Sequence, residues 1–327
     1  MCRRDSFITF SAILTLLVLS SLFYGTPAAI SSDYPERNIS VIIPYGAGGG
    51  TDTQARIFMS VVEKILGKPV IIVNKPGAKG EIGNTEIAKS KNDGYHLGVL
   101  AYPDSVALEA YKSVDYRSDE YVYIASYTKS PVVLIVQKDS KFKNVKDFVD
   151  YAKANPGEIT VSMAADAHTL AAVLLEKKAG IKITPVFYKS GSAALNGLLG
   201  KHVDAALIAT QFGVVADSQD FPTIGVAGDE RVPKLPDSPT FLEQGYDIQV
   251  MQSRILAAPK GTPQSIVEKL QSVCDQSAKD EGLIKKIENL GEVYHYLSGQ
   301  KLEKYLQKTN AEVIQAVKEN KDKFIRK

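Results

Sequence analysis

The chain has 327 residues with nearly balanced charge, 39 Lys plus Arg against 37 Asp plus Glu, and its basic residues are scattered, so no nucleic-acid footprint is present. With 4 His and 2 Cys, no ligand spacing for a structural zinc site can be assembled. Roughly 300 residues are enough for one large or two medium domains held by a hydrophobic core.

The chain starts with Arg3 and Arg4, an apolar run over 7–24, and the small-residue stretch Thr26, Pro27, Ala28, Ala29. A charged start, an apolar middle and a cleavage region make 1–28 a secretory signal peptide, cut after Ala28. The alternative is a retained membrane anchor, since the run is about long enough to span a bilayer. Either outcome puts the rest of the chain outside the cytoplasm, in a periplasmic or other extracytoplasmic space. Cys2 precedes the apolar run, so it is not a lipid-bearing cysteine, and Cys274 is then the one cysteine of the exported chain, with no internal disulfide.

From Ile39 onward an apolar strand, a Gly or polar loop and a helix-period segment recur, the pattern of an α/β sheet. Strands are expected at 40–44, 70–73, 96–100 and 132–136, and helices at 51–66 and 83–90. In the first helix Ala55, Phe58, Val62, Ile65 and Leu66 share one face. The pattern restarts with helices at 146–154, 170–178 and 193–199 and strands at 160–163, 182–188, 205–208 and 223–227. An apolar strand at 248–257 and helices at 263–279, 282–290 and 300–319 complete the chain.

No Gly/Ser-rich or Pro-rich linker separates the two halves, so strands near 126–136 and 249–257 are expected to carry the chain across and back. The expected architecture is therefore a two-lobed, periplasmic-binding-protein-like α/β fold of type II, each lobe a mixed sheet flanked by helices, with a ligand cleft between. Its parts are lobe one at 34–130, lobe two at 131–250, and a return strand and C-terminal helices at 251–327 that complete lobe one.

The segment 44–52 is a Gly-rich loop between a strand and a helix, where Tyr45, Ala47, Gly48, Gly49, Thr51 and Asp52 are candidate ligand contacts. Glycines let the backbone approach a ligand, and the amides at a helix start attract anions. Dinucleotide spacing fails because Thr51 stands at the third glycine position and Asn74 replaces a ribose-binding acid. A phosphate-binding P-loop fails for want of Gly-Lys-Ser/Thr, which leaves carboxylate binding or plain capping by Thr51 or Asp52. The segment 162–169 is the matching strand-to-helix loop of the second half, with Ser162, Ala164, Ala165, Asp166 and His168 as candidates. Two such helix starts facing each other would supply backbone donors to a carboxylate. Asp166 and His168 also read as helix caps, and a Ser162/His168/Asp166 triad is disfavoured because all three crowd one turn and no nucleophile-elbow context surrounds Ser162.

The segment 188–192 offers Tyr188, with Lys189 reading as a rim or surface residue, and the segment after the third strand offers Tyr102. Asp104 would repel an anion there, which favours a contact from its backbone or from Ser105. Arg254 interrupts an apolar strand and either clamps a second carboxylate or pairs with an acid between lobes.

In these segments the chain resembles the tripartite tricarboxylate transporter receptor family, the Bug family of periplasmic solute-binding proteins, over nearly its whole length after the leader. The similarity is carried by 43–52 with Ala55 and Arg56, by 74–80, by 93–95, by 188–191, by 200–204, by Leu235, Pro236, Pro239 and Thr240, and by 258–263. The resemblance implies a type II binding-protein fold, a ligand carboxylate held by backbone groups and water at the first loop of each lobe, and a membrane partner with one large and one small subunit. Family substrates include citrate and other dicarboxylates, amino acids and aromatic carboxylates. The chain departs from the family at Ser253, Arg254 and Ile255, where many members carry Trp and Gly, and in the Ala- and Asp-bearing loop at 164–167. The expected function is capture of a small organic carboxylate for a transporter, with no catalytic residues, metal or cofactor. The alternative is a ligand sensor for a membrane signalling partner.

Overall fold

Continuous apolar runs with few polar interruptions need cover on both faces, and most of the central strands have it. In the computed structural model, which describes residues 34–325, β1 (Ile39–Ile43), β2 (Val70–Asn74) and β3 (His96–Tyr102) are parallel, with β1 in the middle. The expected signal segment lies outside the described residues. The chain divides at Arg37: the first unit, of which residues 34–36 are described, has a cis Tyr34–Pro35 peptide bond, and the second holds every strand and helix named here.

β1 leads into α1 (Gly50–Leu66), which buries Ala55, Phe58, Met59 and Val62 and stops at Gly67. α2 (Glu81–Lys89) follows β2, and α3 (Asp104–Tyr111) follows β3. β4 (Tyr121–Thr128) and β5 (Ser130–Val136) form a nearly unbroken extended segment. The second half contains α4 (Val145–Ala154), β6 (Thr160–Met163), α5 (Asp166–Ala179), β7 (Thr184–Phe187), α6 (Gly191–Leu199), β8 (Ala205–Ala209), α7 (Thr210–Asp217) and β9 (Thr223–Val226). β10 (Met251–Pro259), α8 (Gln264–Ser277), α9 (Glu281–Asn289), β11 (Tyr294–Ser298), α10 (Gly299–Glu319) and α11 (Lys321–Phe324) close the chain.

The strand order is β2-β1-β3-β10-β5-β8-β6-β7, with β4 and β11 beside β10 and β9 beside β5. β10 is the seam. It pairs antiparallel with β3 over Ser253–Ala257 and with β4 over Ile255–Pro259, but meets β5 at Met251 and Gln252. The strands thus fall into two groups, or lobes, linked by the 121–136 segment going out and β10 coming back. α10 packs on α3, β4 and α5, so one helix touches both groups, with Leu302, Leu306, Val313 and Val317 buried beneath it.

Several elements go beyond the sequence expectation, the short α11 among them. α3 and α7 are eight-residue helices, and half-buried β11 is held by its pairing with β4. β4 extends the crossing segment back to Tyr121. α5 begins at Asp166 rather than 170, because its first amides are capped by a side chain from the other lobe, a contact no local pattern announces.

Candidate ligand cleft

A cleft of about 690 Å³ opens between the carboxyl ends of β1, β6 and β8, within the size range of small-molecule sites. Its first wall is the Gly-rich loop. Tyr45, Gly46, Ala47, Gly48, Gly49, Gly50 and Thr51 all line it. Gly48 has φ +75°, where a side chain would be strained, and α1 begins at Gly50, with Gly49 at the N-cap and no side-chain cap. The first-turn amides of α1 therefore lack the partner that helix starts usually draw from Ser, Thr or Asp.

Asp52 shapes this wall from beneath and is not on the cleft surface. Its carboxylate accepts from Gly48 N at 2.8 Å, Asn74 Nδ2 at 2.9 Å and Arg56 Nε at 3.0 Å. Asn74 Nδ2 also donates to the Tyr45 carbonyl at 3.0 Å, so both ends of the loop are tied to one buried acid. Burial acts to raise the Asp52 pKa, but hydrogen bonds from Arg56, Gly48 and Asn74, with the Arg56 charge, outweigh it and hold the carboxyl below its ordinary value.

The second wall comes from the other lobe. Ala164, Ala165, Asp166 and His168 line it, but the amides of Ala164, Ala165, Asp166 and Ala167 are already engaged. His168 Nδ1 accepts from Ala164 N at 3.1 Å and Ala165 N at 3.2 Å. Asp104 Oδ1, from lobe one, accepts from Asp166 N at 2.8 Å and Ala167 N at 3.1 Å. The expectation that this helix start offers its amides to a ligand is corrected by these four bonds. Asp104 also lines the cleft, and its carboxylate reaches across to hold the α5 amides. Burial, then the neighbouring Asp166 carboxylate, raises the Asp104 pKa, and Arg254 draws it down.

Asp166 is bound from across the cleft. Lys79 Nζ reaches its Oδ1 at 2.9 Å and the Tyr111 hydroxyl donates to its Oδ2 at 2.8 Å. Lys79 also donates to Tyr111 Oη at 2.5 Å and to the Phe324 carbonyl at 3.3 Å.

The cleft floor is β10. Residues two apart share a face of a strand, so Gln252 and Arg254 both project into the cleft. Arg254 is 7% exposed, makes no ion pair among the described residues, and its Nε has no hydrogen-bond partner there. Its Nη1 has a long contact of 3.4 Å with the Ser253 carbonyl. Gln252 Oε1 is likewise buried without a partner among the described residues. Behind Arg254, Glu292 takes a hydrogen bond from Gln54 Nε2 at 2.7 Å; burial raises its pKa, while Arg254 and Ser130 oppose the rise.

Pleat parity explains one misplaced candidate. Tyr102 pairs with Ser253, whereas Ala101 pairs with Arg254, so Ala101 lines the cleft and Tyr102 turns into the core against Tyr305 at a centroid distance of 6.1 Å. Ser162 is fully buried and donates to the Ala194 carbonyl at 3.0 Å. Tyr188 packs over Gly197, where an added Cβ would fall 2.3 Å from its hydroxyl. These three, with Asp52, lie off the cleft.

Lys79, Gln211 and Phe212 line the cleft without having been singled out by the sequence, and Lys189, Ser190, Gly191 and Ser192 of the 188–192 rim segment line it too. The available signal for Gln211 and Phe212 was their place just past the strand at 205–208, the third strand end in the same lobe.

Residues 54–321 match the family model described as the tripartite tricarboxylate transporter family receptor, TctC. The chain belongs to this family. As a TctC receptor it is a solute-binding protein and not an enzyme, works outside the cytoplasm, and serves a transporter. A UPF0065 protein in the gbd 5′ region of Cupriavidus necator is 32% identical over 254 residues, covering 75% of this chain and 76% of that one. The solved periplasmic binding protein BugD is 30% identical with a TM-score of 0.75, covering 88% of this chain and 98% of its own. MatC from Rhodopseudomonas palustris, solved with bound malate, is 28% identical with a TM-score of 0.75, covering 88% and 99%.

Proposed function

We propose that this TctC receptor captures a small organic carboxylate in the cleft and delivers it to a membrane transporter built of one large and one small integral subunit. The observation that carries the ligand class is Arg254. A guanidinium this buried needs an anion, and among the described residues no acid forms an ion pair with it. It shares the cleft with the uncapped first turn of α1, so a carboxylate placed between them accepts charge-assisted bonds from the guanidinium and amide bonds from the loop. MatC, with malate bound, supports the same ligand class by analogy.

On this reading Tyr45, Ala47, Gly48, Gly49 and Thr51 contact the ligand from one wall, Ala164, Ala165, Asp166 and His168 shape the other, and Arg254 anchors the carboxylate. The lobes are drawn from 34–130 with 251–327 and from 131–250, and export proceeds through a signal peptide at 1–28. A thermal-shift screen of organic acids and amino acids tests the reading. At least one carboxylate raises the melting temperature of the wild-type receptor, and Arg254→Gln abolishes that rise while remaining folded. No stabilising carboxylate, or equal stabilisation of Arg254→Gln, contradicts it.

A further inference from the structure

The charged groups lining the cleft are unevenly matched. Lys79 and Asp166 neutralise one another at 2.9 Å. Lys189 is exposed at the rim, where water and salt weaken its field. Among the described residues that line the cleft, Arg254 and Asp104 are the other charges inside it, and neither forms an ion pair with any described residue. Asp104 Oδ1 holds both amides of the α5 start, and its Oδ2 accepts no hydrogen bond among the described residues.

We propose that Asp104 is the specificity-determining residue of the cleft: its carboxylate occupies the lobe-two donors that a ligand's second carboxylate would need, so the receptor selects a ligand with one carboxylate and a cationic far end. The inference rests on the carboxylate site at Arg254 just described. A dicarboxylate anchored at Arg254 would bring its other charge toward Asp104, where the α5 amides are already taken and like charges repel in a partly desolvated site. An ammonium group there meets the opposite sign on Asp104. Asp104 thus acts as a built-in carboxylate that closes the second anion subsite and turns its part of the cleft from anion-accepting to cation-accepting.

Isothermal titration of the purified receptor with matched linear probes tests this. The probes are 4-aminobutyrate, 5-aminopentanoate and 6-aminohexanoate, each against the dicarboxylate of equal length: succinate, glutarate and adipate. The variants are Asp104→Asn and Asp104→Ser, both of which retain an oxygen able to cap α5, with thermal unfolding as the check on folding. For wild type, at one length or more, the amino acid binds at least about tenfold more tightly than its dicarboxylate. Both variants move that ratio at least about tenfold toward the dicarboxylate. Tighter dicarboxylate binding by wild type at every length, or an unchanged ratio in both variants, overturns the inference and leaves the carboxylate site standing. Binding by none of the six probes, while other acids without a cationic group do bind, overturns it as well. Failure of every carboxylate to bind removes the site beneath it, a distinct result.

Discussion

Replacing Asp52 with Ala should loosen the Gly-rich loop without touching the cleft surface. The carboxylate accepts from Gly48 N, Asn74 Nδ2 and Arg56 Nε at 2.8 to 3.0 Å. Hydrogen bonds to a charged acceptor contribute about 1.5–3 kcal/mol each. The Arg56 side chain is 48% exposed, so its pairing adds at most about 1 kcal/mol. Asn74 keeps its second bond, to the Tyr45 carbonyl, which leaves the Gly48 amide as the principal orphan. The expected loss is therefore about 2–4 kcal/mol, or roughly 3–7 °C in melting temperature for a chain of this size.

The pH dependence has a definite sign. The folded-state pKa of Asp52 lies below its unfolded value of about 3.9, so its contribution is complete above that value and is lost as pH falls through the folded pKa. Urea unfolding of wild type and Asp52→Ala across pH 7 to 3 should show a constant gap down to about pH 5 that narrows below about pH 4. Ligand affinity should also fall about tenfold or more, since the ligand must then order the loop itself. A gap under about 1 kcal/mol at pH 7, or one that widens on acidification, would refute the clamp.

Gly83→Ala would place a Cβ 2.6 Å from Pro44 Cα and 2.9 Å from the Lys75 carbonyl, both backbone, so the end of β1 must shift. A destabilisation of about 1–3 kcal/mol by urea unfolding is expected, with weaker ligand binding because the loop starts at that strand end. A double-mutant cycle on Lys79→Met and Asp166→Asn should give a coupling of about 1–3 kcal/mol, because Asp166 is buried and the pair joins the two lobes. Additive single effects would show that the ion pair contributes nothing to holding the lobes together.

The two-lobed α/β architecture was legible because continuous apolar runs and period-3.6 segments alternate from Ile39 to Val226 and strand β10 reads as an apolar run. The Gly-rich loop was legible for the same local reason, as was Arg254, a charge inside that run. What the sequence hid depends on contacts between distant segments. Asp104 caps a helix 62 residues away, and His168 folds back on the amides of its own loop, so donors that look available in sequence are already bound. Tyr102 and Ser162 belong to the right strands but face the wrong side, a matter of pleat register that only pairing with β10 and packing on α6 decide. α3 and α7 escaped notice because neither start carries a side-chain cap to announce it: Pro103 and Ala209 stand at the capping positions.

The most direct test of the central claim is calorimetric titration of one carboxylate found by the acid screen against its own primary amide, on wild type and Arg254→Gln. Wild type should bind the acid at least about 100-fold more tightly than the amide, and Arg254→Gln should lose most of that preference. Equal affinity for acid and amide, or a preference untouched by Arg254→Gln, would contradict the claim that Arg254 and the Gly-rich loop recognise a carboxylate.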